Sequence, residues 1–157
     1  MNNKRTYKTR LTNNEIMTYK ELRKQQQARF NKLPMKAAFG DKQFEDMMKS
    51  WGLTTSERDR AKVMEICGGA YCLKSDWPLF EDYFDAADRE RREFLATEAG
   101  LKSALIYEFY NHECGYTMSP EKAVEALGFT MQDTKDESQL IGMVFDAAWR
   151  EYLDECE

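Results

Sequence analysis

Residues 77–110, WPLFEDYFDAADRERREFLATEAGLKSALIYEFY, decide the fold. Apolar residues recur at spacings of three, four and seven along the first part, which is typical of a helix with one buried stripe. Those residues are Phe80, Phe84, Ala87 and Phe94. The pattern predicts a helix over 77–99, capped by Ser75 or Asp76, with Pro78 in the first turn, where a missing N–H does no harm. Gly100 is expected to interrupt it before a second helix over 101–110, which buries Leu101, Leu105 and Phe109.

Helix signals continue on both sides of this stretch. Thr18 and Glu21 have the spacing of a capping box, and Ser119 and Pro120 are expected to begin another helix that stops at Gly128. Two short apolar runs around Gly68 and Gly69 predict a β-hairpin, because glycine tolerates the positive φ of tight turns. We therefore expect a mainly α (α+β) fold of about five to six helices, with one small hairpin near residues 62–73.

Composition and charge favour one globular domain with a separate tail. The chain has 157 residues, of which 42% are hydrophobic, enough for one core. Residues 1–36 contain ten Lys or Arg and two Glu, whereas residues 37–157 contain thirteen against twenty-six acidic residues. We interpret residues 1–15 as a flexible basic tail and 16–157 as a single helical domain. This asymmetry indicates an electrostatic partner for either part, or contact between the two parts.

The absence of a long apolar run and of an apolar leader predicts a cytoplasmic protein without membrane contact. Since thiols stay reduced there, the four cysteines are interpreted as free. They are Cys67, Cys72, Cys114 and Cys156.

The stretch His112-Glu113-Cys114 contains the only histidine of the chain. Zinc would need Cys67, Cys72, His112 and Cys114 to converge, but their spacing departs from that of a zinc knuckle. A Cys114–His112 nucleophile pair is also open, although residues two apart on a helix point away from each other. The favoured interpretation is a helix end, where Asn111 and His112 form hydrogen bonds and Gly115 supplies the turn. No cofactor is expected.

Acidic and basic runs supply two further candidate surfaces. Glu81, Asp85 and Asp88 share one helix face and are candidate binding residues, although such runs are more often simply solvated. Basic residues near the N-terminus could contact phosphates in a salt-sensitive, sequence-independent way. The candidates for this nucleic-acid contact are Arg5, Arg10, Arg23, Lys24 and Arg29.

Several stretches resemble a group of small uncharacterised proteins of Gram-positive gut bacteria, often encoded on conjugative elements or phages. The matching stretches are MTYKELRKQQQ, FGDKQFEDMMKSWGL, CGGAYCLKSD, NHECGYT and EALGFT. That group has an aromatic residue in place of Cys114 and lacks the hairpin cysteines. The resemblance therefore implies that Asn111, His112, Glu113 and Gly115 are the common part, and that no shared function depends on a cysteine cluster. These four residues are interpreted as a helix end with a contact role, and Asn111, His112 and Glu113 are candidate binding residues.

The function expected from these observations is a non-catalytic protein-interaction module, since each candidate catalytic motif is better explained by a structural role. The resemblance adds an accessory or counter-defence role, in which the acidic body binds a host protein. A nucleic-acid-binding adaptor acting through residues 4–29 is the first alternative. The second is a metal-dependent or thiol enzyme around His112.

Overall fold

A computed structural model describes residues 17–157 and has the predicted fold class, mainly α with a small antiparallel sheet. The expected basic tail over 1–15, with Arg5 and Arg10, lies outside the described residues. The helices are α1 (Tyr19–Phe30), α2 (Asp41–Ser50), α3 (Glu57–Arg60), α4 (Trp77–Leu95), α5 (Glu98–Asn111), α6 (Cys114–Thr117), α7 (Glu121–Ala126) and α8 (Leu140–Cys156). The strands are β1 (Lys36–Ala37), β2 (Val63–Cys67) and β3 (Ala70–Leu73).

Two compact units divide the chain, one over Gln26–Arg89 and the other over residues up to Gln25 together with Glu90–Glu157. We call them the sheet unit and the helical unit. The division falls inside α1 and α4. Whether residues 16–157 behave as a single domain stays a prediction.

In the helical unit, α5 packs against α7 and α8. Leu101, Leu105 and Phe109 of α5 are fully buried, as predicted. The ring of Phe109 meets those of Trp149 and Tyr152 at centroid distances of 5.0 and 5.4 Å. Aromatic pairs at such distances stabilise a core beyond the area that they bury. This core fixes the C-terminal end of α5 beside that of α8.

The start of α1 is fixed by the predicted capping box. The backbone N–H of Thr18 donates to Glu21 Oε2 at 2.8 Å, and the N–H of Glu21 donates to Thr18 Oγ1 at 3.2 Å. The backbone N–H of Tyr19 also donates to Ser103 Oγ on α5 at 2.9 Å. Tyr19 and Leu22 are buried in the helical unit, so the first turn of α1 is part of its core.

The boundary between α4 and α5 differs from the prediction. α4 ends at Leu95, and Thr97 caps α5 by accepting the backbone N–H of Gly100 at 3.0 Å. Gly100 thus lies in the first turn of α5 rather than between two helices. A Cβ at this position would come within 1.9 Å of the Phe94 carbonyl oxygen. Glycine is needed at position 100 because the connection between α4 and α5 packs closely against it. The break between the two helices lies three residues earlier, at Thr97.

The predicted start of α7 is also wrong. The helix begins at Glu121, and Pro120 occupies the cap position without a side-chain cap bond. Ser119 is therefore not the N-cap. Gly128 follows the helix with φ 84°, as expected for a glycine that ends one.

In the sheet unit, β3 lies between β1 and β2, and both pairings are antiparallel. The hairpin of β2 and β3 turns at Gly68 and Gly69, both with positive φ, which confirms the predicted turn. Met47 and Met48 of α2 are buried with Val63 of the sheet. This small second core is separate from that of the helical unit.

The expectation that Phe84 faces the core is wrong, since 42% of its surface is exposed. Its ring lies 6.2 Å from Phe30 and 6.3 Å from Trp77, within an aromatic cluster of the sheet unit. Phe80, one turn earlier, is fully buried. The stripe on α4 therefore follows the predicted period, but only part of it reaches a core.

Between Met17 and the C-terminal residue, no helix has both the length and the apolar character needed to cross a membrane.

Candidate functional site

The stretch around His112 is the end of α5, as the sequence indicates, but the turn is made differently. His112 caps α5, and its backbone N–H donates to the Glu108 carbonyl at 3.0 Å. Glu113, not Gly115, takes the left-handed conformation, with φ 50°, and α6 begins directly after it. Met118 ends α6 in the same conformation, with φ 52°. Such values are uncommon for residues other than glycine, and both flank one short helix.

Gly115 has a different role from the predicted one. Its backbone N–H donates to the Tyr152 hydroxyl at 2.7 Å, and a Cβ on it would lie 2.9 Å from that oxygen. Glycine therefore permits α6 to approach α8. The prediction that Gly115 supplies the turn is wrong. Glycine is needed at this position because it permits the close contact with Tyr152.

Two of the predicted site residues converge on a carboxylate that sequence analysis missed. Glu108 accepts a hydrogen bond from Asn111 Nδ2 at 3.1 Å, and its Oε2 lies 3.3 Å from His112 Nε2. Only 6% of Glu108 is exposed. A buried carboxylate needs such partners, so Asn111 and His112 are engaged in holding the end of α5. The sequence signal was that Asn111 and His112 follow Glu108 by three and four residues. Glu108 is the one acidic residue in an apolar run.

Beside this end lies a groove that the predictions also missed. It has a volume of about 570 Å³ and is lined by Tyr110, Glu113, Gly115, Tyr116, Tyr152 and Cys156. The Tyr110 hydroxyl donates to Glu155 Oε2 at 2.6 Å, and the Tyr110 and Tyr152 rings meet edge to face at 4.8 Å. The hydrogen bond to Glu155 raises the pKa of Tyr110 to about 12. The sequence signal for this groove was a pair of tyrosines, Tyr110 and Tyr116, on either side of the His112 stretch.

Cys114 is unsuited to the nucleophilic role considered for it. Its side chain is fully buried in the helical unit, and this burial raises the pKa of the thiol. Because the thiolate is the reactive form, a raised pKa lowers reactivity near neutral pH. Cys114 instead anchors the first residue of α6 in the core.

No convergence of three or more His, Cys, Asp or Glu side chains suited to a metal ion occurs in the described part of the chain. The zinc set considered from the sequence therefore has no geometric support there. All four cysteines are free, with Cys72 and Cys114 buried.

The remaining predicted residues lie on exposed helix surfaces. Glu81, Asp85 and Asp88 are exposed along α4 in the sheet unit. Arg23 and Lys24 are exposed on the part of α1 in the helical unit, and Arg29 is exposed on the part in the sheet unit. Each set thus remains a surface candidate, and none of these residues lines the groove.

Comparison with known proteins places the chain in a family without assigned activity. The model of a family of unknown function, DUF7659, matches residues 18–151. No curated protein and no solved structure matches the chain. The match agrees with the resemblance to an uncharacterised group, and it includes α1 to the middle of α8. Because it extends over most of the sequence, the chain belongs to the DUF7659 family of unknown function.

Proposed function

We propose that the protein is a non-catalytic protein-interaction module and that its contact surface is the α6 corner, formed by Tyr110, Glu113, Tyr116 and Met118. The observation that carries the proposal is the exposure of Tyr116, 93% of whose surface is open to solvent. Tyr110 and Met118 are also exposed in the same region of the chain. Tyrosine and methionine are enriched at protein interfaces, where tyrosine often dominates the binding energy.

The backbone of the α6 corner supports this role because it is itself held in place before binding. Left-handed residues flank α6 on both sides, the Tyr152 hydroxyl holds Gly115, and Cys114 is buried. Non-glycine residues in this conformation cost about 1–3 kcal/mol each and cluster at binding sites. A surface that is already ordered loses less entropy when a partner binds.

Charge supports a basic partner. Residues 37–157 carry twice as many acidic as basic residues, and such an imbalance attracts a basic surface and speeds association. Together with the resemblance described above, this favours an accessory or counter-defence protein of a mobile element. Its acidic body would occupy the nucleic-acid-binding surface of a host protein.

An affinity capture tests the proposal. The tagged protein is incubated with lysate of a Gram-positive gut bacterium, with and without nuclease treatment, at low and at moderate salt. The parent chain is compared with Tyr116→Ala and with Met143→Ala. Met143 is a suitable control because it is 61% exposed on α8, about 14 Å along the helix from Tyr152.

We expect one discrete protein that Tyr116→Ala loses and Met143→Ala retains, with less recovered at moderate salt. Equal recovery with both variants would contradict the α6 corner as the contact surface. Recovery of nucleic acid alone, abolished by nuclease, would instead favour the alternative contact through Arg23, Lys24 and Arg29.

A further inference from the structure

We propose that the groove beside α6 binds an arginine side chain of a basic protein segment. This inference rests on the proposed function and names the chemistry of the partner. The groove lies within the helical unit, between α6 and the C-terminal turns of α5 and α8. Its volume of about 570 Å³ exceeds that of one side chain, so it also admits the backbone that carries the arginine.

Three of the six described residues that line the groove are tyrosines. The hydroxyl groups of Tyr110 and Tyr152 are both engaged, the first with Glu155 and the second with Gly115. These bonds hold the two rings in place at an edge-to-face distance of 4.8 Å. Tyr116 adds a third ring that is almost fully exposed. A guanidinium group over an exposed tyrosine gains about 0.5–1 kcal/mol, and more when water is excluded.

The electrostatic environment of the groove favours a cation. Glu113 lines it, and the Glu113 carboxylate has no hydrogen-bond or ion-pair partner among residues 17–157. The described lining includes no lysine or arginine. This carboxylate is therefore available to a positively charged ligand and unfavourable for a phosphate.

The C-terminal ends of two helices add to the negative electrostatic potential of the groove. The C-terminal end of α5 borders the groove through Tyr110. The C-terminal end of α8 borders it through Tyr152 and Cys156. A helix C-terminus carries a partial negative charge that a nearby cation stabilises. Neither helix has a lysine or arginine in its last turn to supply that cation. The missing positive charge can come from a partner.

Arginine fits these features better than lysine does. Its planar guanidinium group stacks on an aromatic ring and forms two parallel hydrogen bonds to a carboxylate. A lysine ammonium group is a compact, strongly hydrated charge without a face to stack. The groove offers both a ring, Tyr116, and a carboxylate, Glu113.

Fluorescence anisotropy with two labelled peptides tests the inference. One peptide alternates arginine with glycine, and the other has lysine in place of each arginine. With the full chain we expect the arginine peptide to bind more tightly by about threefold to tenfold. Tyr116→Ala and Glu113→Gln should each remove most of that preference. Glu125→Gln, which removes an exposed charge on α7, should leave it unchanged.

Equal binding of the two peptides would overturn the inference. Equal losses of the arginine preference in Glu113→Gln and Glu125→Gln would also overturn it, because they would indicate only general attraction to an acidic protein. If a truncation that removes residues 1–16 creates the preference, the occupant is the chain's own basic segment and the partner-binding inference fails. If Tyr116 is needed for capture from lysate but the peptides bind equally, the proposed function stands and this inference alone fails. If neither depends on Tyr116, both fail.

Discussion

Gly100 shows how one residue determines a helix boundary. Replacing a glycine inside a helix by alanine usually stabilises a protein by about 0.5–1 kcal/mol. Here the added methyl group would meet the Phe94 carbonyl oxygen, so we expect Gly100→Ala to lower the free energy of unfolding by about 2 kcal/mol instead. Urea denaturation measures the change, and Ala99→Ser at the exposed neighbouring position should have little effect. A gain in stability would mean that the α4–α5 connection moves freely.

Tyr110 provides a pH-dependent prediction. Its hydrogen bond to Glu155 raises the pKa from the ordinary value of 10.0 to about 12. Because the folded pKa is higher, the bond contributes its full stability below pH 10 and loses it as the pH rises from about 10 to 12. Glu155→Ala should therefore return one tyrosine to ordinary titration and lower the urea midpoint only below that range.

The absorbance of tyrosinate as a function of pH measures this titration. Asp154→Ala removes a neighbouring charge and serves as the control, since Asp154 does not bond Tyr110. Identical titration curves for the Glu155 and Asp154 variants would show that the hydrogen bond is absent in solution.

At the scale of elements, α6 depends on contacts from outside itself, and one of them is a hydrogen bond to α8. A helix of four residues is far too short to form alone, and α6 is held to α8 by the bond between the Gly115 N–H and the Tyr152 hydroxyl. Tyr152→Phe keeps the ring and removes the acceptor. We expect a loss of about 1 kcal/mol and faster hydrogen exchange at the Gly115 amide.

Tyr116→Phe is the matched control, because the Tyr116 ring is exposed and its hydroxyl forms no comparable bond to α6. Both variants lose one hydroxyl, so equal exchange rates at Gly115 would refute the anchoring role of Tyr152.

Elements with a local chemical signature could be predicted from the sequence, and those that depend on tertiary contact could not. The Thr18–Glu21 capping box and the Gly68–Gly69 hairpin are local patterns, and both are present. The start of α5 depends on how closely Gly100 approaches Phe94, which no spacing reveals. An interruption was predicted there because glycine is usually a helix breaker, whereas this one permits packing.

The same distinction applies to the candidate site. The sequence indicated Asn111 and His112 as a helix end, and they lie there. It did not reveal that they hold Glu108, because burial of an acid depends on what covers it. The groove was missed since Tyr110, Glu113 and Tyr152 come together only when α8 packs on α5 and α6. Tyr110, Glu113 and Tyr116 lie in one short stretch, but Tyr152 and Cys156 come from α8, and no sequence motif links the two parts.

At the scale of the whole molecule, we predict that the two cores unfold together. Leu105 is fully buried in the core of the helical unit and Met48 in that of the sheet unit. Truncating either to alanine removes buried methyl groups and should cost about 2–5 kcal/mol. Since α1 and α4 each continue through the division between the units, we expect one cooperative transition.

Urea unfolding followed by circular dichroism tests this expectation. Leu105→Ala and Met48→Ala should each lower the single midpoint without changing the slope, as two-state unfolding requires. Met143→Ala, at an exposed position, should leave the midpoint in place. Two separate transitions, each lowered by only one of the core variants, would instead establish two domains and contradict the single domain predicted for residues 16–157. In that case the groove beside α6 would belong to a domain stable without the sheet unit, because all its lining residues lie in the helical unit.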